Sequence, residues 1–506
     1  MPELKIRELP GLRRLRQPVK PPRLPRPPRL RALTTWQLTA GAATVGLALS
    51  AVAVTAAGPW DSGQRTAERA LAADRARDGG ADHGRGKDPS AAPSAPGVLN
   101  GLGAPAGGAP APTGRALADV LDPLLKDPAL GSQRTASVVD AATGTEVYAA
   151  GAGEAVTPAS TTKIATAVAA LAALGPDHRI ATKTVTGADS GADPGEVVLV
   201  GGGDPTLTAR KGSQGNASLH TLADETAHAL RTRGLDKIKL SYDTSAYSGP
   251  DQHPIGPNEN IAPVSALMVD EGRMDDSTSG PAQRTADPAR DAAGTFADLL
   301  RDRGVDVTGE PGPGKAGERA ETLGKTESAP LAALVERMLT HSDNDIAEHL
   351  ARQTAIADGE PASFEGAAKA MEDQLRKLEL PLEGVKFADG SGLNRDDKLT
   401  AKLLTALLAR AADPARAELR PALTGLPVAG FTGTLRNRYE DGSPGTGLVR
   451  AKTGTLTGVN TLAGTVVDAD GRLLVFAFTA SGTADPRSAQ STLDRLASTV
   501  ANCGCR

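Results

Sequence analysis

Three short stretches of the 506-residue chain carry side chains suited to acyl transfer: Ser160-x-x-Lys163, Ser342-Asp343-Asn344 and Lys452-Thr453-Gly454-Thr455. A serine hydroxyl is a poor nucleophile until a neighbouring base takes its proton. A lysine can be that base once desolvation or another cation lowers its proton affinity. Ser160 and Lys163 stand three apart, which puts them on one helix face, a turn from each other. At a helix start the Ser160 amide lacks an internal partner, so it can donate to an oxyanion beside its own hydroxyl. Ser342 offers a second hydroxyl as a proton relay, and Asn344 a paired donor and acceptor for a peptide amide. On a strand, Lys452 and Gly454 share one face. There an ammonium can meet a carboxylate, and the missing side chain lets a substrate backbone approach. Each stretch alone has a plain explanation as a helix start, a helix break or an exposed strand, and a Ser-x-x-Lys pair recurs by chance about twice in such a length. Once each, in this order and in these contexts, they argue for one site.

The elements that must position these residues are legible around them. Residues 157–175 predict a helix, with Thr157 at its cap, Pro158 in the first position and Gly175 past the last apolar residue. Ile164, Val168, Leu171 and Leu174 recur at helical spacing and face a core. Residues 137–148 predict a strand, a turn at Ala142-Thr143-Gly144 and a second strand. Helical pattern returns over 328–353 with a break at Thr340-His341, just ahead of Ser342. His341 is a tempting base there but reads as a polar residue at a helix break. A strand over 448–453, a hairpin over 462–479 and an amphipathic helix over 485–500 complete the chain. Between 176 and 328 the text alternates differently: strands at 196–200 and 237–241, helices at 222–233 and 292–303. The run Gly201-Gly202-Gly203-Asp204-Pro205 lacks the helix and Lys-Ser/Thr of a phosphate loop and reads as a turn. The expectation is an α/β (α+β sandwich) fold whose serine-transferase domain, an antiparallel sheet flanked by helices, comes from residues 116–175 and 329–506. Residues 176–328 are expected to form an inserted α/β accessory domain.

Composition sets the compartment. Residues 1–37 hold ten basic side chains against Glu3 and Glu8, while the whole chain has a net charge of −4. The remainder is therefore strongly acidic, which argues against nucleic acid as a partner. The basic block is Pro-rich and reads as a disordered cytoplasmic tail. Residues 38–57 are an uncharged run long enough to span a bilayer, with positive charge on the inner side, so everything after Gly58 is placed outside the cell. Thr55-Ala56-Ala57 also suits signal cleavage, giving a secreted alternative. The length of the run, beyond the 7–15 residues of a signal core, favours the membrane anchor. Residues 58–115, rich in Ala, Pro and Gly, form a linker whose ends lie about 40 Å apart as a random coil. The seven histidines are scattered, with no His-Glu-x-x-His, and the only cysteines are Cys503 and Cys505. No metal or cofactor is expected. The cysteines suit a Cys-x-Cys bridge or free thiols equally, and have no catalytic role.

The text around the three stretches carries a resemblance. Thr157-Pro158-Ala159-Ser160-Thr161-Thr162-Lys163, Gly201 to Pro205, Ala262-Pro263-Val264-Ser265-Ala266-Leu267 and Ser342-Asp343-Asn344 belong to it. So do Asp389-Gly390-Ser391-Gly392-Leu393, Leu426 to Gly430, Gly433-Thr434-Leu435 and Val449 to Gly458. Over roughly 117–500 the chain resembles the D-alanyl-D-alanine carboxypeptidases/endopeptidases, class C low-molecular-mass penicillin-binding proteins of serine peptidase family S13. The resemblance implies a β-lactamase/transpeptidase-like fold and a peptidase acting on peptidoglycan stem peptides, with β-lactam antibiotics as covalent inhibitors. It implies Ser160 as the acylated nucleophile, Lys163 as its base and Ser342 as the relay to the leaving D-alanine. Asn344 becomes the substrate-amide clamp and Lys452 and Thr453 the carboxylate site, with Gly454 and Thr455 also binding substrate. The amides of Ser160 and Thr455 make the oxyanion hole. Two departures stand out. The 182 residues from Ser160 to Ser342 are fewer than in larger members, so one accessory domain is expected to be missing, and Asn394 replaces a common serine. The rival readings are a β-lactamase, which needs an added glutamate to activate water, and a catalytically weak wall-binding scaffold, which has no use for Lys163 and Ser342 together.

Overall fold

The structure, a computed structural model, describes residues 112–187, 195–212, 215–439 and 442–504. The basic tail, the apolar run at 38–57 and the linker up to residue 111 lie outside the described residues. Among those described, no helix is long and apolar enough to cross a membrane.

Thr113 caps α1 (Gly114–Leu125) by accepting from the Ala116 amide, and Leu117, Leu121 and Leu125 form its buried stripe. The antiparallel strands β1 (Gln133–Asp140) and β2 (Glu146–Ala150) follow. Asp140 shapes the turn between them, its Oδ1 accepting from the amides of Ala142 and Thr143. Next comes α2 (Thr162–Leu174), stopped by Gly175 at φ 80°. Its start corrects the sequence reading. Thr157 does not cap it, because its hydroxyl donates to the Arg395 carbonyl instead. Pro158 does not open it either, since a 3₁₀ turn, Ala159–Thr161, intervenes. Ala159 has φ +49°, a value that no right-handed helix accommodates. The hydroxyls of Thr161 and Thr162 close this turn on the carbonyls of Pro158 and Ala159, at 2.7 and 3.0 Å. Ser160 thus sits on a strained turn ahead of the helix.

The middle of the chain builds its own sheet from β3 (Ala181–Thr186), β4 (Glu196–Val200), α3 (Leu219–Thr232), β5 (Lys237–Asp243), α4 (Pro288–Arg301) and β6 (Thr322–Glu327). The order is β5-β4-β3-β6, with a two-residue strand at Asp306–Val307 beyond β5. β4 and β5 are parallel and joined through α3, as parallel neighbours require, whereas β3 is antiparallel to both its neighbours. Leu222, Leu230, Phe296 and Leu300 of the two helices pack on Val197, Leu199 and Leu240.

Four helices return to the first layer: α5 (Leu331–His341), α6 (Asn344–Asp358), α7 (Phe364–Lys377) and α8 (Ala401–Ala412). Strands β7 (Arg450–Leu456), β8 (Val459–Val467) and β9 (Leu473–Ser481) and the closing helix α9 (Pro486–Ala501) follow. The antiparallel order is β7-β8-β9-β1-β2. Strand periodicity sorts the side chains. Leu462, Val466, Leu474, Phe476 and Phe478 face α1 and α9, while Ala463, Val475 and Ala477 face α2 and α5 to α8. This is the mixed α/β architecture that the sequence predicts. Aromatics make up only 2% of the chain, so small side chains must bring the elements close. α2 shows the result: every residue from Thr162 to Leu171 is buried, on all sides of the helix rather than along one stripe. Ala167→Leu should therefore lower stability to denaturant by about 1–3 kcal/mol through overpacking. The half-buried Ala172 should accept leucine with a much smaller change.

Candidate active site

The three reactive stretches meet in one cleft. The 3₁₀ turn carries Ser160, the α5–α6 junction carries Ser342 and Asn344, and β7 carries Lys452 to Thr455. Lys163 is fully buried, with Nζ 3.1 Å from Ser160 Oγ, 2.7 Å from Asn344 Oδ1 and 2.6 Å from the Ser391 carbonyl. Asn344 Nδ2 donates to the Asn260 carbonyl at 3.0 Å, which fixes its amide with Oδ1 toward the lysine. An unprotonated amine has two donors and one lone pair. The two obligate acceptors take both donors, leaving the lone pair for the Ser160 hydroxyl proton.

Lys452 is equally buried and reaches Ser342 Oγ at 2.9 Å and the Thr453 carbonyl at 2.7 Å. Ser342, the C-cap of α5, is held in the left-handed region at φ 59°, which turns its hydroxyl to β7. Gly454 corrects the sequence reading. A side chain there would meet Thr461 Oγ1 at 2.1 Å and the Pro158 carbonyl at 2.7 Å. The space left by the missing side chain is thus filled by Thr461 and by the turn that carries Ser160, not by a substrate backbone. Thr461 Oγ1 donates to that same carbonyl at 2.8 Å and ties the turn to the sheet.

β7 is the sheet edge, so alternate N–H groups point off it. Ala451 N–H leaves the sheet for the Pro427 carbonyl, and by the period of two the amides of Thr453 and Thr455 point the same way. Together with Ser160 and Ser342, Thr453 and Thr455 line a cleft of about 290 Å³. Thr434, Arg438 and Gln490 complete its wall, and among the described residues no glutamate lines it. Sequence reasoning missed several of these. Thr434 bonds Thr453 Oγ1 at 2.8 Å, and its only signal was the Gly433-Thr434-Leu435 text. Gln490, whose Nε2 donates to Thr455 Oγ1 at 3.3 Å, carried none, being one polar residue of an amphipathic helix. Ser391 acts through its carbonyl, which side-chain identity cannot reveal. His341 lies outside this cleft and lines a neighbouring cavity of about 380 Å³ with Arg337.

Comparison with known proteins settles the family. The family model described as D-Ala-D-Ala carboxypeptidase 3 (S13) matches residues 117–283 and 274–500. Carboxypeptidase DacB of Mycolicibacterium smegmatis is 41% identical over 410 residues, covering 78% of this chain and 86% of that one. The chain belongs to the S13 family of D-Ala-D-Ala carboxypeptidases. A carboxypeptidase of Mycobacterium tuberculosis is 37% identical over 431 residues, covering 82% of this chain and 90% of its own. Among solved structures, penicillin binding protein 4 of Haemophilus influenzae superposes with a TM-score of 0.61 at 23% identity, covering 75% of this chain and 99% of that one. This likeness is one of fold.

An S13 serine carboxypeptidase needs a base near neutral pH, and the electrostatics of Lys163 suit that task. Burial pushes Lys163 down to about 8, against the pull of Asp389, Glu348, Asp343 and Asp397. Burial, and then the charge of Lys163, push Lys452 well below its ordinary value. With a pKa of about 8, roughly one Lys163 in ten is unprotonated at pH 7, and the fraction grows as pH rises. Single-turnover acylation by a chromogenic β-lactam should therefore speed up about tenfold per pH unit below 7, pass half-maximum near 8 and level off above it. A rate that stays flat from about pH 6 to pH 9 would remove Lys163 as the titrating base.

Proposed function

We propose that this S13 enzyme removes the terminal D-alanine from peptidoglycan stem peptides through an acyl-enzyme on Ser160. We propose further that it opens D-alanyl-diamino-acid cross-links by the same route. The observation that carries the reading is the Lys163 amine held on Ser160 Oγ by two fixed acceptors. Lys163 takes the hydroxyl proton as Ser160 Oγ bonds to the carbonyl carbon of the penultimate D-alanine. The oxyanion so formed lies between the amides of Ser160 and Thr455. As the C–N bond breaks, Ser342, held by Lys452, passes a proton to the leaving amine and takes in its place the proton that Lys163 removed from Ser160, so both amines end as they began. Water then hydrolyses the ester, returning Ser160 and the acid. Asn344 holds the substrate amide from the rim of the cleft. Penicillins acylate the same serine because they present a strained amide beside a carboxylate.

The terminal carboxylate is received by the hydroxyls of Thr434, Thr453 and Thr455 in the field of Lys452. Among the described residues Lys452 has no carboxylate partner, since burial and Lys163 alone account for its shift. An incoming anion would supply one. Residues 38–57 and the basic charge before them support a single-pass anchor with the catalytic part outside the cytoplasmic membrane, the linker 58–115 reaching toward the wall.

Ser160→Ala should abolish covalent labelling by penicillin, and Lys163→Ala should slow it by orders of magnitude. Labelling that survives Ser160→Ala would place the nucleophile elsewhere. With muropeptides, mass analysis should show both loss of a terminal D-alanine and cleavage of cross-linked dimers. Intact dimers would restrict the enzyme to carboxypeptidase action. Lys452→Ala should lower kcat/KM on a free D-alanyl-D-alanine terminus by about 10- to 150-fold, the equivalent of one charge-assisted contact. On the amidated peptide the loss should be far smaller, and equal losses on acid and amide would reassign Lys452 to the fold or the relay.

A further inference from the structure

The loop that aims the Ser391 carbonyl at Lys163 is built around buried carboxylates. Glu348 of α6 accepts from the amides of Gly390 and Ser391 at 3.1 and 2.8 Å. Asp389 accepts from the amides of Ser391, Gly392 and Asn394 at 3.1, 2.6 and 2.7 Å. Asp397 accepts from the Ala388 amide at 2.6 Å, and burial beside Asp389 pushes it up to about 9, so this pair shares one proton.

One donor to this cluster comes from the middle of the chain. His253, between β5 and α4, places Nε2 3.0 Å from Asp389 Oδ2 and 3.9 Å from Glu348 Oε1. The Ile255 amide donates to its Nδ1 at 3.3 Å, so the ring proton sits on Nε2 and points at Asp389. The ring is 1% exposed and stands edge-on against Phe364, 5.2 Å between centroids. It lines neither of the two cavities described above, and its described polar partners, Asp389, Glu348 and the Ile255 amide, lie outside the three reactive stretches.

We propose that His253 is a positioning residue for acylation. Its Nε2–H fixes Asp389, Asp389 fixes the 389–392 loop, and the Ser391 carbonyl held there keeps Lys163 on the Ser160 hydroxyl. The inference rests on the reading of Ser160 and Lys163 given above. It makes the segment between α2 and α5 part of the catalytic apparatus rather than a separate appendage. The physical reason is that a buried carboxylate deprived of a donor must take up a proton or find another one. Either outcome changes what Lys163 meets. That amine is faced by Glu348 and Asp343 from α6 and its cap, by Asp389 and Asp397 from the loop, and by Lys452 from β7. Arg352 of α6 adds its charge near Glu348. A displacement of the Ser391 carbonyl by about 1 Å is enough to cost some 100-fold in rate.

The test compares acylation rates per active site in the full chain, with sites counted by saturating radiolabelled penicillin. A wild type that takes no label would defeat the Ser160 reading rather than this one. His253→Leu should lower the rate about 10- to 100-fold and move the limb of the pH profile that Lys163 governs. His253→Gln, which keeps an N–H at similar reach, should stay within about threefold of wild type. Adding His253→Leu to Asp389→Asn should cost little more than Asp389→Asn alone, because the histidine acts through that carboxylate. Where the leucine variant does not fold, His253→Asn, too short to reach Asp389, makes the same comparison. Wild-type rate and pH limb in the folded Leu or Asn variant would overturn the proposal, as would full additivity with Asp389→Asn.

Discussion

The amine of Lys163, buried with no carboxylate touching it among the described residues, sets the constraint that the active centre is built to satisfy. Taking an ammonium out of water is costly, and a protein usually answers with a direct ion pair. A direct pair would be fatal to the chemistry, since it would hold the proton on Lys163 and leave no base. The structure instead sets Glu348, Asp389 and Asp397 one layer behind. Their oxygens are occupied by backbone N–H groups and by His253, and among the described residues Nζ meets only uncharged groups, the Ser391 carbonyl, the Asn344 amide and the Ser160 hydroxyl. The distant charges temper the desolvation without cancelling it, which leaves Lys163 at about 8. Among the described residues Lys452 has no such second layer, and burial and the charge of Lys163 hold it well below its ordinary value. Under the function proposed above, the two amines differ in what they await, one a proton from a serine and the other an anion.

Meeting this constraint demands close approach of segments far apart in the chain. Gly392, at φ 81°, lies where a side chain would strike the Ala159 carbonyl at 2.0 Å. Gly454 meets the same turn from the opposite side. The Ser160 turn is thus gripped between a loop and a strand edge, at two residues without side chains. That grip is what sustains the unfavourable φ of Ala159, a conformation that isolated sequence preference would discard.

This explains which parts of the molecule were legible in the sequence. Periodic apolar text marks helices and strands because burial enforces it, so α2, α5, α6 and the β8–β9 hairpin can be read directly. The start of α2 could not be, because Thr157 and Pro158 have the residue types of a helix start while Ala159 is bent by contacts with Gly392 and Gly454, hundreds of residues away. Ser160, Lys163, Ser342, Asn344 and Lys452 stood out as side-chain types in a recurrent order. Ser391 escaped because its carbonyl is common to all residues. His253 escaped because a lone histidine in an irregular stretch has no periodic context, and its meaning comes from Asp389, 136 residues later. The role of Gly454 was misread for a related reason: sequence shows that a side chain is missing, not what fills the space.

The junction between the middle segment and α6 follows the same electrostatic logic. Glu271, Asp343 and Asp345 lie buried together, faced by Arg273, Arg284 and Arg337. Glu271, Arg273 and Arg284 come from the middle segment, while Arg337, Asp343 and Asp345 come from α5, α6 and their junction. Each set contains buried charge that only the other set neutralises. Arg284 bonds Asp345 at 2.8 Å, and the Ala262 amide donates to the same carboxylate at 2.9 Å. Removing one member of such a cluster strands a buried charge, typically at a cost of about 3–5 kcal/mol. The two segments are therefore locked at the first turn of α6, next to Asn344. Since Asn344 also accepts from Lys163 and donates to the Asn260 carbonyl, the lock fixes the acceptor that leaves the lysine lone pair no direction but toward Ser160. Charge compensation between two stretches of chain is thereby converted into the orientation of a single lone pair.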